Sequence, residues 1–219
     1  MHHDWQISID QAREIQNELA SRIEYTKIPS SISQVAGFDV SYQKEQNIQI
    51  AGMVVLDYPS LALLASYTTK ARISFPYVPG FLSFREAPAL LKLISKHARQ
   101  VDLFIFDGHG RAHPRGLGIA SHIGVITGKP SIGCAKKRLV GEFAMPENHK
   151  GAVSQLKYRG KIVGSVLRTR QNVKPVFVSV GNRVRLPEAV EFILSCTPKY
   201  RLPEPTRLAH LCVTKAKLN

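Results

Sequence analysis

Val101-Asp102-Leu103-Phe104-Ile105-Phe106-Asp107-Gly108-His109-Gly110-Arg111-Ala112-His113-Pro114-Arg115-Gly116 is the stretch on which the reading of this chain turns. Val101 to Phe106 is its most apolar strand-like run, and a strand apolar on both faces is a central one with helices packed on each side. Asp107 follows at its end, beside a loop whose glycines allow close backbone approach and whose arginines neutralise anions. An α/β sheet binds ligands at that edge. A carboxylate beside a basic glycine loop there suits a metal-dependent site acting on phosphate.

On the N-terminal side, Ser8 to Tyr25 carries Ala12, Ile15, Leu19 and Ile23 at helical spacing behind Ser8-x-x-Gln11, a capping-box pattern, which predicts an amphipathic helix packed on the sheet. Val35 to Tyr42, Ile48 to Asp57 and Leu61 to Thr69 read as strands whose connections are too short for crossover helices, so they are antiparallel neighbours. A proline-rich loop from Phe75 to Gly80 precedes a helix over about Phe84 to His97, and then comes the buried strand. A small helix near Ile119 to Thr127 and a short strand, Ser131 to Cys134, follow. After them come strands at Ala152 to Tyr158, Lys161 to Arg168 and Val176 to Val180, with helices near Pro187 to Ser195 and Thr206 to Lys217. The change from hairpins to a strand-helix-strand rhythm predicts an α/β fold, a mixed sheet flanked by helices, in a single domain over residues 1–219.

Thirty Lys and Arg against 16 Asp and Glu give a net charge of +14, which makes a polyanion, nucleic acid first, the expected partner. An anionic membrane surface ranks well below, because no basic amphipathic helix carries a Trp/Phe/Leu face. With no run of 18 apolar residues and no signal-peptide pattern at the start, a soluble, cytoplasmic protein is expected. Cys134, Cys196 and Cys212 lack paired spacing and read as reduced, mostly buried thiols.

Alternation in Gly37-Phe38-Asp39-Val40-Ser41-Tyr42 sends Asp39 out from mid-strand among small neighbours, where a carboxylate needs a cation or donors. Asp107 makes the same demand. Ser83-Phe84-Arg85-Glu86 fits a capping box, but Pro88 would remove a donor from the second turn of a helix begun at Phe84. The helix is therefore expected to start nearer Ala87, leaving Glu86 free on the approach loop. Three carboxylates converging in so basic a chain call for divalent cations with oxygen ligands, Mg²⁺ or Mn²⁺. His109 and His113 are four apart, yet Gly110 and Pro114 forbid the helix that would align them on zinc. Lys136, in Lys136-Lys137-Arg138 after a core strand, is expected on the same edge as Asp107, where it could meet charge building on phosphorus. On the last helix His210 shares a polar side with Arg207 and Thr214; that side either reaches the site or is merely solvated.

With these residues in view, the chain closely resembles the endonuclease V family, nucleases of the ribonuclease H-like superfold that recognise deaminated purines, above all inosine. The resemblance covers nearly the whole chain. It is carried by Gly37 to Tyr42, Pro76-Tyr77-Val78-Pro79-Gly80-Phe81-Leu82-Ser83-Phe84-Arg85-Glu86, Asp107 to Gly110, His113-Pro114-Arg115, Ser121-His122, Ile132 to Leu139, Gly181 to Val184 and Leu202 to Arg207. It implies Mg²⁺-dependent hydrolysis, with Mn²⁺ able to substitute. Asp39 and Asp107 would be metal ligands, Glu86 would hold or orient the metal-bound water, Lys136 would stabilise the transition state, and His210 would contribute nearby. It also implies a wedge loop, Tyr77-Val78-Pro79, whose Tyr stacks where the altered base has been turned out. Gly80, Gly108, His113 and Gly133 are assigned to the substrate-binding side, with glycine backbone groups reading the reversed donor-acceptor pattern of hypoxanthine. The cut implied is at the second phosphodiester 3′ to the lesion, leaving 3′-hydroxyl and 5′-phosphate ends, in a monomeric DNA-repair enzyme. Inosine-containing RNA is the alternative substrate; a nuclease for hybrids, flaps or junctions and a non-catalytic binder are the competing readings.

Overall fold

The computed structural model describes residues 3–218, apart from the side chain of Lys44. Strand β4, Leu103–Phe106, is buried along its whole length. Leu103 and Ile105 pack with Val35, Ile132 and Val178, and Phe104 and Phe106 pack on the other face with Phe38 and Met53. β4 runs parallel to β1, Gln34–Gln43, on one side and to β5, Ser131–Ala135, on the other. Beyond β1 come β2, Ile48–Asp57, and β3, Leu63–Arg72, as antiparallel hairpin partners. Beyond β5 come β8, Val176–Asn182, β7, Lys161–Leu167, and β6, Val153–Tyr158, again antiparallel. Among the described residues this makes one eight-stranded sheet in the order β3-β2-β1-β4-β5-β8-β7-β6, mixed as the sequence rhythm predicts.

Helices α2, Leu82–His97, and α3, Ile119–Thr127, cover the face that carries Phe38, Phe104 and Phe106. Helices α4, Leu186–Ser195, and α5, Glu204–Leu218, cover the other. Gly37 lets α5 come close: a Cβ there would lie 2.0 Å from the carbonyl oxygen of Pro205, so only glycine permits this approach of helix to strand.

Two expectations are revised. Helix α1, Ile9–Ala20, has the predicted Ser8 capping box but stops short of Tyr25, and it packs on α3 and on the Phe75–Phe81–Phe84 cluster more than on the sheet. Helix α2 begins at Leu82, not near Ala87, so Glu86 lies within its second turn and Pro88 sits inside it. Proline removes a donor and crowds the preceding turn. Tertiary packing offsets that cost, because Phe84 is fully buried among aromatic rings and Gln49 Nε2 donates to the Arg85 carbonyl at 2.8 Å. The capping box at Ser83 and Glu86 does not form; both side chains bond to partners distant in sequence.

Candidate active site

β1 outruns β4: the last parallel pair is Phe38 with Phe106, whose rings stack 4.7 Å apart on the α2 and α3 side. The next residue on each strand points the opposite way. Asp39 and Asp107 therefore stand side by side beyond the end of the ladder, facing α5, with the Asp107 N–H donating to the Phe38 carbonyl at 3.2 Å. Burial and the neighbouring Asp107 charge together push the Asp39 carboxyl above its usual range. Glu86 comes from α2, on the other side of the sheet. Burial pushes it up to about 8, and the charges of Asp39 and Asp107 act in the same direction.

Each of the three has a donor. The His210 ring and Asp39 Oδ2 are 2.8 Å apart, so of the polar residues of α5 it is the histidine that reaches the site. Lys136, directly after β5, forms a salt bridge with Asp107, as its strand-end position predicts. The Tyr42 hydroxyl donates to Glu86 at 2.5 Å. Among the described residues no three His, Cys, Asp or Glu side chains stand together as a ready ligand set. The close gathering of residues 39, 86 and 107 expected from sequence is not seen as a ready ligand set; each carboxylate is turned to its own donor. The donor set still fits a hard divalent cation: oxygen ligands, crowded like charge, and ionised forms that burial makes costly. Tyr42 as the partner of Glu86 escaped the sequence reading. Alternation placed it on the α2 face, and only packing shows what it meets there.

Next to the carboxylates lies a cleft of about 470 Å³ lined by Tyr77, Val78, Pro79, Gly80, Gly108 and His113, six of the residues assigned to substrate. Leu82, Gly118, Ile119 and Leu139 extend an apolar lining, Ser83 and His109 add polar groups, and Lys137 and Arg138 add charge; none was singled out for this cleft from sequence. Tyr77 stands 73% exposed at its mouth. His113 is buried, which drives its pKa down to about 4 and keeps the ring neutral. Its Nε2 lies 3.0 Å from the Gly80 carbonyl, which also accepts from Arg115 and Gln16, so that carbonyl is already committed. Gly133 does not line the cleft. It pairs with Phe106 and Ser179 within the sheet, and a Cβ on it would lie 2.5 Å from the Gly110 nitrogen, so it makes room for the Gly108–Gly110 backbone above. His109 and His113 bond to different carbonyls, of Lys137 and Gly80.

This arrangement has relatives. Residues 17–211 match the Endonuclease V family. The chain belongs to the endonuclease V family. An Endonuclease V of Roseiflexus sp. (strain RS-1) is 46% identical over 98% of this chain and 96% of its own length. The crystal structure of an Endonuclease V from Streptomyces avermitilis superposes with a TM-score of 0.92 at 42% identity, covering 98% of this chain and 95% of that one. An Endonuclease V of Ciona intestinalis, crystallised with a 24mer DNA containing an inosine followed by a ribo-adenosine, gives 0.81 at 28% identity over 96% and 98% of the two chains. The mixed sheet flanked by helices is thus the endonuclease V architecture, and membership makes the chain a nuclease. Among the described residues no helix is long and apolar enough to cross a membrane.

A further feature of this family member emerges only in three dimensions. His122, fully buried and driven down to about 3, bonds through Nδ1 to Ser83 Oγ at 2.9 Å and through Nε2 to His3 at 2.8 Å. The His122–Ser83 contact pins the start of α2 to α3 beneath the cleft.

Proposed function

We propose that this protein is a magnesium-dependent endonuclease, with manganese able to replace magnesium, acting on DNA that contains deoxyinosine or another deaminated purine. It hydrolyses the second phosphodiester bond 3′ to the lesion, leaves 3′-hydroxyl and 5′-phosphate ends, and serves DNA repair as a cytoplasmic monomer. The observation that carries this reading is the pairing of Asp39 and Asp107 beyond the β1–β4 ladder, with the 470 Å³ cleft beginning at the next residue, Gly108. A phosphate held by the carboxylate site then lies close to a base held in the cleft.

Asp39 and Asp107 would hold the metal with Glu86 as the third carboxylate, and the ion would supply the positive charge that activates water and stabilises the departing oxygen. The residues around it do the rest. His210 fixes the orientation of Asp39 through its 2.8 Å contact. Lys136 places an ammonium beside Asp107, where negative charge accumulates on the phosphoryl oxygens during attack. Tyr42 holds Glu86 in place by its hydroxyl. In the cleft, Tyr77 offers a ring to replace the stacking lost when a base turns out, while the neutral His113 and the apolar wall accept an uncharged purine.

A riboinosine substrate is the second reading, favoured by the ribo-adenosine next to inosine in the DNA bound by the Ciona relative. One experiment tests both: purified protein with Mg²⁺ and matched oligonucleotides carrying deoxyinosine, riboinosine, or adenosine in the same context. Cleavage of the inosine strands at the second 3′ bond supports the proposal, and equal cutting of adenosine sinks it.

A further inference from the structure

On the far side of the Arg111–Gly116 loop from the base cleft lies another depression, of about 480 Å³. Its walls bring together Tyr25, Arg111, Arg115, Tyr158, Arg159 and Lys161, and no carboxylate lines it. His113 lines both depressions, so one loop is the partition between them.

The arginines of this cleft bond to neutral groups, whereas several others on the surface pair with carboxylates. Arg22, Arg183 and Arg207 each pair with a glutamate. In this cleft Arg111 donates to the Tyr25 hydroxyl and lies 5.1 Å from its ring. Arg115 donates to Gln16 and to the Gly80 carbonyl, and Arg159 lies 5.2 Å from the Tyr158 ring. All of these partners are neutral. They orient the guanidinium groups and leave their charge uncompensated, at a cost in mutual repulsion that an anion would offset.

Backbone strain adds an independent sign. Arg159 and Gly160 join β6 to β7 with φ of 50° and 73°, a two-residue hairpin turn with both central residues left-handed. Asn-Gly suits such a turn, and an arginine at its first position carries a steric cost. A local rule broken on the rim of a basic cleft points to a use for that side chain.

We propose that this cleft is a second polynucleotide contact, gripping the phosphate backbone of the substrate strand beyond the segment that delivers its purine to the base cleft. The inference rests on the nuclease reading above. A strand bent across the His113 loop leaves phosphates on the side away from the inserted base, and an extended polyanion matches positive charge on both walls with two tyrosine rings between.

The test is fluorescence anisotropy in EDTA, so that no strand is cut, with inosine oligonucleotides lengthened stepwise on either side of the lesion and titrated at several salt concentrations. Wild-type affinity rises with length. The triple variant Arg111→Ala, Arg159→Asn, Lys161→Ala loses most of that gain, roughly tenfold, and its slope of log affinity against log salt falls by roughly 2, at 0.7 to 0.9 per phosphate contact. Arg159→Asn alone keeps or raises the melting temperature while weakening long oligonucleotides severalfold, a combination that a purely structural role excludes. This variant carries the test by itself if the triple one fails to fold. An unchanged slope and length dependence in a folded variant overturns the proposal. If wild type shows no preference for inosine over adenosine, the inosine reading fails instead, and the salt slope still reports on the cleft.

Discussion

At the ends of β1 and β4 stand Asp39 and Asp107, with Glu86 reaching them from α2, and each has its own side-chain donor; burial and neighbouring carboxylates disfavour the ionised forms of Asp39 and Glu86. Starting one residue later, at Gly108, the same edge forms a cleft whose inner wall is glycine backbone, aliphatic side chains and a histidine kept neutral by burial. The first region concentrates charge and resists it. The second holds no carboxylate and offers shape, with Lys137 and Arg138 on its wall. Bond cleavage at a phosphate needs the former, while distinguishing one neutral purine from another needs the latter, and both hang on the short Asp107–His113 segment.

The largest expected effect separates the two regions outright. Asp107→Ala should lower cleavage by at least about 10³-fold, several kcal/mol of barrier, while inosine binding in gel shifts stays close to wild type. Retained cleavage would remove Asp107 from the chemistry. Next comes Gly133→Ala, whose Cβ meets the Gly110 nitrogen at 2.5 Å under the cleft floor. Overpacking there should cost about 1–3 kcal/mol in denaturant unfolding and reduce inosine preference, and an unperturbed melt would mean the floor yields freely. Tyr77→Ala should weaken binding of inosine-containing oligonucleotides by about 1–3 kcal/mol, the value of one stacked ring, without changing the melting temperature of so exposed a residue.

Acidity gives the subtlest contrast. Glu86 titrates near 8 in the folded chain against 4.5 ordinarily, so its neutral form is favoured; with magnesium chelated, that stability is full below pH 4.5 and is lost as pH rises through 8. His113 and His122 are depressed from 6.5 to about 4 and 3, so their contribution is full above pH 6.5 and is lost as pH falls through those values. Glu86→Gln should therefore flatten the alkaline limb of a stability-against-pH curve and leave the acid limb in place. His122→Gln should flatten the acid limb. A Glu86→Gln curve parallel to wild type on both sides would show that burial of Glu86 is relieved by solvent.

Much of this was legible in the order of residues. The strand at Leu103–Phe106, its acidic end, the alternation that throws Asp39 outward and the hairpins of β1 to β3 all follow from local rules of periodicity and connection length. The Ser8 cap formed as written. Glu86 resisted such reading because Pro88 argues locally against a helix that burial of Phe84 then enforces. Gly133 resisted it too, since a glycine that supports a loop and a glycine that touches a ligand look the same in sequence.

By itself, then, the sequence determined the mixed sheet, the net positive charge and the placing of Asp39 and Asp107 on their strands, because these depend on side-chain chemistry and short-range periodicity. Only the tertiary structure decided that α5 comes close enough over Gly37 for His210 to reach Asp39, that Tyr42 holds Glu86, and that one loop divides two clefts. Those contacts join residues far apart along the chain. Their distances are set by how helices settle on a sheet, and no local pattern encodes them.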